Sequence, residues 1–401
     1  MAAKPVSVKV LQQVVDAVAR AGGKTAAARE LGMPLENLKH ASRVAEQKGI
    51  KPSVGEQEHL KARVKRLEAE LANAQRQALT EDAIRRGIIG LAASVAETAT
   101  PKWMLKTTAP DSAPGVPTLF LSDLHWGEVV HPSQINGVNK YNVAVAKQRL
   151  RHVGDRAVRL LEILSPKMEY PGLVVPLGGD MISGNIHDEL TATNEINSMP
   201  AVLDLFEELA GLLAVLADTF GKLFVPCVSG NHGRDTHKIW SKDRHATSFD
   251  WLLYCFLAKH FATDKRITFM IPDGPDAYFK VYGHRYLLTH GDQFRGGDGM
   301  IGALGPIIRG DHKKRSRNAQ IDMEYDTLLL GHWHQLIHLN RLIVNGSLKG
   351  LDEYAYSNNF PFEIPQQALW ITHPVHGITF RAPVYADKAR TPAKTAWVSW
   401  T

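Results

Sequence analysis

The spacing of apolar residues divides the chain into a helical first quarter and a longer body in which strands and helices alternate. Over Val8–Ala21 the apolar residues recur at helical spacing, and a pair of glycines ends the pattern. A short helix over 24–31 follows, Gly32 permits a sharp turn, and Pro34 suits the first turn of the next helix. We therefore expect a small all-α unit over residues 1–52.

A heptad pattern predicts a further, coiled-coil-like helix over residues 55–99. Its apolar seam consists of Leu60, Val64, Leu67, Leu71, Ala74 and Ala78 and, after a skip, Ile84, Ile88, Leu91 and Val95. The skip indicates a stutter or a helix break. The seam either joins two chains into a homo-oligomer through residues 60–95 or lies on the rest of its own chain; we favour the first. Residues 100–117 are rich in proline and predict a linker.

From residue 118 onward, short apolar runs typical of buried strands each end in a polar signature. The signatures are Asp123-Leu-His125, Gly179-Asp180, Gly230-Asn231-His232, His290-Gly-Asp292 and Gly331-His332-Trp-His334. Helical patterns over 141–164, 201–220 and 248–261 separate the runs, and this alternation predicts an α/β core. In such sheets the functional groups lie at the carboxyl ends of the strands.

Three hairpin-like patterns, over 277–288, 336–344 and 369–380, predict a second sheet packed on the first. The expected architecture is a two-sheet βαβ sandwich flanked by helices over residues 118–385, followed by a C-terminal tail over 386–401.

Composition limits the class of protein. An apolar content of 44% excludes wholesale disorder, and the longest apolar runs are too short for a membrane span. The N-terminus has no apolar stretch of the kind found in secretory signals. The two cysteines, Cys227 and Cys255, cannot build a disulfide framework, so we expect a cytoplasmic protein with no membrane partner.

The net charge of +6 is unevenly distributed. Residues 1–110 carry 18 Lys and Arg against 11 Asp and Glu, whereas the remainder carries 29 against 30. The basic surplus thus lies in the helical first quarter. This asymmetry favours a polyanion-binding end attached to a nearly neutral body. The alternative is a solvated helical surface that happens to be basic.

The pattern around Gly32 resembles a helix-turn-helix, in which small Ala28 lets two helices approach and Leu38 and Ala41 pack them together. In that family the second helix enters the major groove of DNA. The resemblance implies DNA-facing side chains at Glu36, Asn37, Lys39, His40 and Arg43. An ordinary helical hairpin would show the same spacing.

Taken singly, the polar signatures of the body are common, but their order is not. That order, over about residues 118–347, resembles the calcineurin-like metallophosphoesterase superfamily. A phosphate ester is anionic and repels a nucleophile, so a pair of cations is needed to neutralise it and to acidify a bridging water. The resemblance implies a metal-dependent phosphoric ester hydrolase with a bridging hydroxide as nucleophile.

The resemblance also implies a ligand set for two divalent cations. Asp180 bridges both ions; Asp123, His125 and His334 complete one ion, and Asn231, His290 and His332 complete the other. These mixed nitrogen and oxygen ligands suit Mn²⁺, our first choice, or Fe, Zn²⁺ or Ni²⁺. Because alternate residues of a strand face opposite sides, His332 and His334 need a turn after Gly331 to reach the two ions.

By the same resemblance, His232 is the catalytic residue that protonates the departing oxygen or holds a phosphoryl oxygen. The sequence departs from the family pattern beside it. Gly233 and Gly184 stand where acidic residues are common in the family. Asp235 or Asp188 would then have to orient His232, and the efficiency of leaving-group protonation is in doubt.

A glycine-rich segment after His290 leads to a basic cluster. We expect phosphate contacts from Arg295, Arg309, Lys313 and Lys314 on a flexible loop beside the metals. A solvated surface loop is the competing interpretation.

These features favour a metal-dependent phosphodiesterase that acts as a nuclease on DNA, positioned by its helix-turn-helix. The combination also resembles bacteriophage arrangements. The alternatives are a phosphomonoesterase or cyclic-nucleotide phosphodiesterase whose N-terminal helices serve only oligomerisation, and a DNA-binding regulator with a vestigial site. Because one superfamily hosts all of these enzymes, the fold cannot choose between them.

Overall fold

A computed structural model of the chain describes residues 6–52, 100–105, 115–296 and 302–387. The chain forms two compact units, divided after Arg86. The predicted coiled-coil-like helix over 55–99 lies outside the described residues, as does the predicted tail from residue 388 onward.

The first unit contains three helices, α1 (Val8–Ala21), α2 (Lys24–Glu30) and α3 (Leu35–Gln47). Their shared core contains Leu11, Val14, Ala17, Ala27, Ala28, Leu38, Ala41 and Ala45. Gly22 ends α1 and Gly32 makes the turn before α3, both with a left-handed backbone that glycine adopts without strain. The predicted helices are confirmed, and Pro34 precedes the first residue of α3.

The second unit alternates strands and helices. Its strands are β1 (Val116–Leu119), β2 (Leu173–Val174), β3 (Leu223–Pro226), β4 (Ile267–Met270), β5 (Asp276–Val281), β6 (His284–Thr289), β7 (Thr327–Leu330), β8 (Ile337–Leu339), β9 (Leu342–Val344), β10 (Gln366–His373) and β11 (Gly377–Tyr385). Its helices are α4 (Val143–Leu164), α5 (Asp188–Thr193), α6 (Ser198–Phe220), α7 (Phe249–His260), α8 (Leu304–Ala319) and α9 (Glu353–Ser357).

The strands form two mixed sheets. One sheet has the order β11-β10-β1-β2-β3-β4, and the other has the order β5-β6-β7-β9-β8. Strands β1 to β4 are parallel to one another, and so are β6, β7 and β9. Each sheet therefore has a parallel centre whose carboxyl ends lie along one edge.

Alternate residues of each strand face opposite sides of its sheet, and this alternation separates the layers of the second unit. In β1 and its extension, Leu119 and Leu121 face a core shared with α4, α6 and α7, whereas Phe120 faces the other sheet. In the second sheet, Leu288 and Leu329 face that same inter-sheet core. The opposite face of the second sheet packs against α8. The predicted two-sheet α/β sandwich flanked by helices is confirmed.

Three details differ from the sequence predictions. The β10–β11 hairpin pairs with β1 in the first sheet, not in the second. The basic segment after residue 303 is the helix α8, not a flexible loop. Within the predicted 100–117 linker, Met104 is buried in the inter-sheet core and its carbonyl accepts a hydrogen bond from the Tyr282 amide. Strand β1 also begins inside that segment, at Val116.

Candidate metal centre

The five polar signatures converge because each follows the carboxyl end of a parallel strand. The loops after β1, β2 and β3 come from one sheet, and those after β6 and β7 come from the other. Between them they supply the predicted metal ligands Asp123, His125, Asp180, Asn231, His290, His332 and His334. The centre thus lies where the ends of two sheets meet.

The ligand atoms form overlapping groups, each with all its atoms within 4.8 Å of one another. One group is Asp123, His125 and His334, and another is Asp180, His290 and His332. A third group joins His125 and Asp180 to His232. The first two groups contain the histidines predicted for the two ions. His125 and Asp180 each belong to two of the groups, so the Asp180 carboxylate lies between His125 on one side and His290 and His332 on the other.

The backbone at the ligands is unusual. Residues in the left-handed region include five of the predicted ligands, namely Asp123, His125, Asp180, His332 and His334. That conformation is uncommon for residues other than glycine, although Asp and His are enriched in it. It turns both histidines after Gly331 toward the centre, as the sequence required, while Trp333 between them packs against the core under α8.

Two glycines allow the motif loops to approach each other. A Cβ atom on Gly230 would lie 2.1 Å from Asp180 Oδ1, and a Cβ on Gly179 would lie 2.4 Å from the Gly230 amide nitrogen. The glycines that precede Asp180 and Asn231 are therefore required by the contact between these loops, not by chain flexibility.

The donor atoms fit a cation better than they fit one another. His125 Nε2 and His334 Nε2 lie 2.9 Å apart, so either one ring donates a proton to the other or a cation lies between them. Asn231 Oδ1 is buried without a hydrogen-bond partner, and His290 Nε2 has only the Asp180 carboxylate, at 3.0 Å, within the described residues. Buried polar atoms are almost always satisfied, and a divalent metal would satisfy these. The residues thus fit a metal with nitrogen and oxygen ligands.

The shifted pKa values of the charged side chains also favour a bound cation. Burial alone would lower the pKa of His290, but the carboxylates of Asp180 and Asp123 outweigh burial and raise it to about 10. Burial would likewise raise the pKa of Asp180, yet the His290 and His232 rings hold it well below its usual range. The carboxylates therefore attract positive charge into the centre, and a bound cation would supply that charge in place of a proton.

A buried ionic network lies behind His125, and sequence reasoning missed it. Glu128 Oε2 lies 3.3 Å from His125 Nδ1, and Glu128 Oε1 accepts a 2.9 Å hydrogen bond from Lys349. Lys349 also bonds Asp352, and all three side chains are buried. Burial and Lys349 lower the pKa of His125 to about 3, so the ring is neutral and Nε2 is free to ligate. The one sequence signal was Glu128 standing three residues after His125.

A second missed residue is Asp250, at the start of α7. Its fully buried carboxylate accepts hydrogen bonds from the backbone amides of Asp180 at 3.0 Å, Met181 at 3.2 Å and Gly230 at 2.9 Å. One side chain therefore holds the loops after β2 and β3 together. Burial raises its pKa to about 6. Nothing in the local sequence marked it.

The loop that carries Asp123 is held from the segment after β9. Ser347 Oγ donates to the Asp123 carbonyl at 3.1 Å, and Asn345 donates to Ser122 Oγ at 2.9 Å. The His332 amide donates to Asp123 Oδ1 at 2.8 Å.

His232 lies against the centre. Its ring packs edge-on against His125, with 4.5 Å between ring centroids, and its amide donates to Asp180 Oδ1 at 2.7 Å. The predicted orientation by Asp235 or Asp188 is not what the structure shows. Instead His232 Nδ1 lies 2.9 Å from the Ser183 carbonyl, which can only accept, so the proton lies on Nδ1 and Nε2 is left for chemistry. Burial lowers the pKa of His232.

The side chains predicted to contact DNA or phosphate lie on both units. Asn37, Lys39, His40 and Arg43 are exposed on α3, and Lys39 pairs with Glu36 at 2.7 Å.

Arg295, Arg309 and Lys313 are exposed on the second unit. Lys314 is different, because it is buried and bonds Asp276 at 2.7 Å. The predicted phosphate contact at Lys314 stays a prediction, for an ammonium that Asp276 already engages.

No family model matches this chain, and no curated protein matches it. Among solved structures, Vps29 from Entamoeba histolytica is 14% identical over 67% of this chain and 98% of its own, with a TM-score of 0.27. A conserved protein from Streptococcus pneumoniae described as a predicted phosphoesterase is 10% identical over 67% and 97%, with a TM-score of 0.23. A putative 5′-nucleotidase from Staphylococcus aureus is 12% identical over 70% and 56%, with a TM-score of 0.29. Likeness at these values assigns no activity to the chain.

Among the described helices, none combines the length and the apolar character that crossing a bilayer requires.

Proposed function

We propose that this chain is a calcineurin-like, dinuclear-metal phosphodiesterase that cleaves DNA. The observation that carries the proposal is the position of Asp180, whose carboxylate groups with His290 and His332 of one proposed ion and also with His125 of the other. Cations that share one carboxylate lie close enough to act on a single phosphate. Mn²⁺ is the proposed metal, because the donor set is nitrogen and oxygen without thiolate.

When bound, the cations would neutralise the phosphate and make a water molecule a better nucleophile. The protein's own part is to fix the ligands and to manage a proton. Because His232 Nδ1–H donates to the Ser183 carbonyl, any proton given to the leaving oxygen would pass from Nε2. The partly exposed His232 and His334 leave the substrate an approach from solvent, whereas Asp123 and His125 are fully buried.

The choice of DNA rests on the first unit. Residues 6–52 carry eight Lys and Arg against four Asp and Glu, and the predicted DNA-facing side chains are exposed on α3. An exposed helix that follows a sharp turn suits the major groove, with Asn37, His40 and Arg43 near base edges and Lys39 near phosphate. Association of two chains through residues 60–95 would match the two-fold symmetry of many such binding sites.

A substrate panel tests the proposal. Purified protein with Mn²⁺ is assayed on plasmid DNA, a single-stranded oligonucleotide, bis-p-nitrophenyl phosphate and p-nitrophenyl phosphate, with Asp180→Ala as the control. We expect cleavage of the DNA substrates and of the aryl diester, and none by the control. Cleavage of the monoester alone would make the protein a phosphomonoesterase and refute the nuclease proposal.

A further inference from the structure

A surface depression of about 250 Å³ lies between the segment after His290 and the helix α8. Five cationic side chains line it, namely Arg295, Arg309, Lys313, Lys314 and Arg317. The volume is below the roughly 300–1,000 Å³ of pockets that enclose a drug-sized ligand. The depression, hereafter the basic pocket, is therefore suited to a small anionic group and not to a whole nucleotide chain.

The exposed rim of the pocket keeps positive charge after its described neighbours are considered. Among the described residues, Asp276 is the carboxylate at the lining, and it is shared between Lys314 at 2.7 Å and Arg317 at 3.1 Å. Two other carboxylates nearby are each engaged by an arginine outside the lining. These pairs are Asp292 with Arg244 at 3.0 Å and Asp311 with Arg315 at 2.8 Å. Arg295 and Lys313 make no ion pair within the described part of the chain, so the rim attracts an anion.

The pocket is built by packing and does not rest on loose surface side chains alone. A Cβ on Gly310 would lie 2.4 Å from the Phe294 ring, so the ring seats directly on the glycine. Lys314 is buried with its ammonium 5.9 Å from the centre of the same ring. On this floor, Arg309 and Lys313 stand four residues apart on one face of α8, with Arg295 on the facing segment.

The pocket is also close to the metal centre along the chain. Arg295 stands five residues after the ligand His290, so even a fully extended backbone separates their Cα atoms by no more than about 18 Å. Phosphates of one DNA strand recur about every 3.4 Å along the helix axis. A strand held at the metals therefore has another phosphate within reach of the pocket, a few nucleotides away.

We propose that the basic pocket binds a backbone phosphate of the same strand that is cleaved at the metal centre. This inference rests on the proposed function. It adds to that function that a polymeric diester is preferred over a small one, because only the polymer has a second phosphate for the pocket. Arg295 and Lys313 at the exposed rim contact the phosphate, and the buried Lys314 contributes charge from below.

The test compares Arg295→Ala/Lys313→Ala with a control that removes two exposed lysines elsewhere, Lys167→Ala/Lys259→Ala. Both are made in the full chain with Mn²⁺ present. The probe is fluorescein-labelled octathymidylate with phosphorothioate linkages, which keep one negative charge each and resist hydrolysis. Fluorescence anisotropy at several salt concentrations gives the dependence of affinity on salt.

Loss of the contact to one phosphate of a single strand should make the slope of log affinity against log salt shallower by about 0.7. We expect this change in the pocket variant and not in the control, with kcat on bis-p-nitrophenyl phosphate unchanged. Equal slopes in both variants, or no binding by the wild type, would overturn the proposal. Because binding is measured without turnover, a wild type that hydrolyses no diester would refute the proposed function separately.

A second arm separates backbone phosphate from free phosphate. Isothermal titration of inorganic phosphate into the wild type and the pocket variant should show no difference between them at millimolar concentration. Variant-dependent binding of inorganic phosphate together with equal oligonucleotide slopes would assign the pocket to the free anion and overturn the backbone proposal.

Discussion

The left-handed backbone at the proposed ligands shows how single residues prepare the metal centre. Each such non-glycine conformation costs on the order of 1–3 kcal/mol and persists only where the surroundings determine it. At Asp123 the surroundings are the Ser347 hydroxyl on its carbonyl and the His332 amide on its carboxylate. The backbone conformation of Asp123 is therefore held by contacts within the protein.

The order of Asp, Asn and His in the sequence predicted which residues the structure gathers. It could not predict Glu128 or Asp250, because their partners lie far away in the chain. Glu128 is bonded to Lys349, and Asp250 to the amide of Asp180. A carboxylate whose role is to hold another residue carries no spacing signal of its own.

The first prediction separates the roles of Asp180 and His232. Asp180→Ala should remove the shared ligand, so that both metal content and activity are lost. His232→Ala should retain near-normal metal and slow turnover by about 10²–10⁴-fold, the usual contribution of a positioned acid or base. Metal analysis and kcat on bis-p-nitrophenyl phosphate check this. Equal metal loss in both variants would make His232 a ligand.

The second prediction concerns Glu128, which we expect to position the His125 ring. Glu128→Gln keeps the shape of the side chain but removes its negative charge, which lies next to Lys349 and His125. We therefore expect the affinity for Mn²⁺ to fall by about 10–100-fold. A Mn²⁺ titration that monitors activity measures this, with the exposed Glu162→Gln on α4 as the control. Activity that falls at saturating Mn²⁺ with unchanged metal affinity would contradict the positioning role.

At the scale of elements, the apolar runs predicted the strands because buried parallel strands are apolar on both faces. The hairpin pattern of β10 and β11 gave no information about the sheet it joins. Its partner β1 is set by tertiary packing, with Trp370 opposite Thr118. Likewise, the sequence did not predict α8 as a helix, because the segment is highly charged and Ile307 is one of its few buried apolar residues.

The third prediction concerns α7, whose Asp250 joins the loops after β2 and β3. Asp250→Ala would leave three buried amides without an acceptor, at about 1–3 kcal/mol for each unsatisfied group. We expect the free energy of unfolding to fall by at least about 2 kcal/mol and Mn²⁺ affinity to fall with it. Chemical denaturation and metal titration measure these changes, with the exposed Asp155→Ala on α4 as the control. Unchanged Mn²⁺ affinity would show that the loops hold their geometry without Asp250.

For the whole molecule, the boundary between the two compact units lies after Arg86, and the basic surplus lies before residue 110. From charge and periodicity the sequence predicted a helical first quarter, a linker over 100–117 and an α/β body from residue 118. It did not predict that Met104, in the expected linker, is part of the core of the second unit.

The fourth prediction tests whether the first unit binds DNA. Lys39→Ala/Arg43→Ala should weaken duplex binding and make its salt slope shallower by about 0.9, because Lys39 contacts a phosphate and Arg43 a base edge. Lys9→Ala/Lys24→Ala removes the same charge from other exposed positions and should have a smaller effect. Hydrolysis of bis-p-nitrophenyl phosphate should be unchanged in both. Equal effects of the two variants on duplex binding would indicate a general basic surface instead of a helix-turn-helix contact.

The proposed function requires that the side chains grouped around Asp123 and Asp180 hold two divalent ions that together hydrolyse a phosphodiester. The most direct measurement adds Mn²⁺ to metal-free protein and follows bound metal and hydrolysis of bis-p-nitrophenyl phosphate together. We predict that activity rises with occupancy and reaches its maximum at two ions per chain, and that Asp180→Ala never reaches it. Full activity with a single ion, or two bound ions without hydrolysis of any diester, would contradict the account.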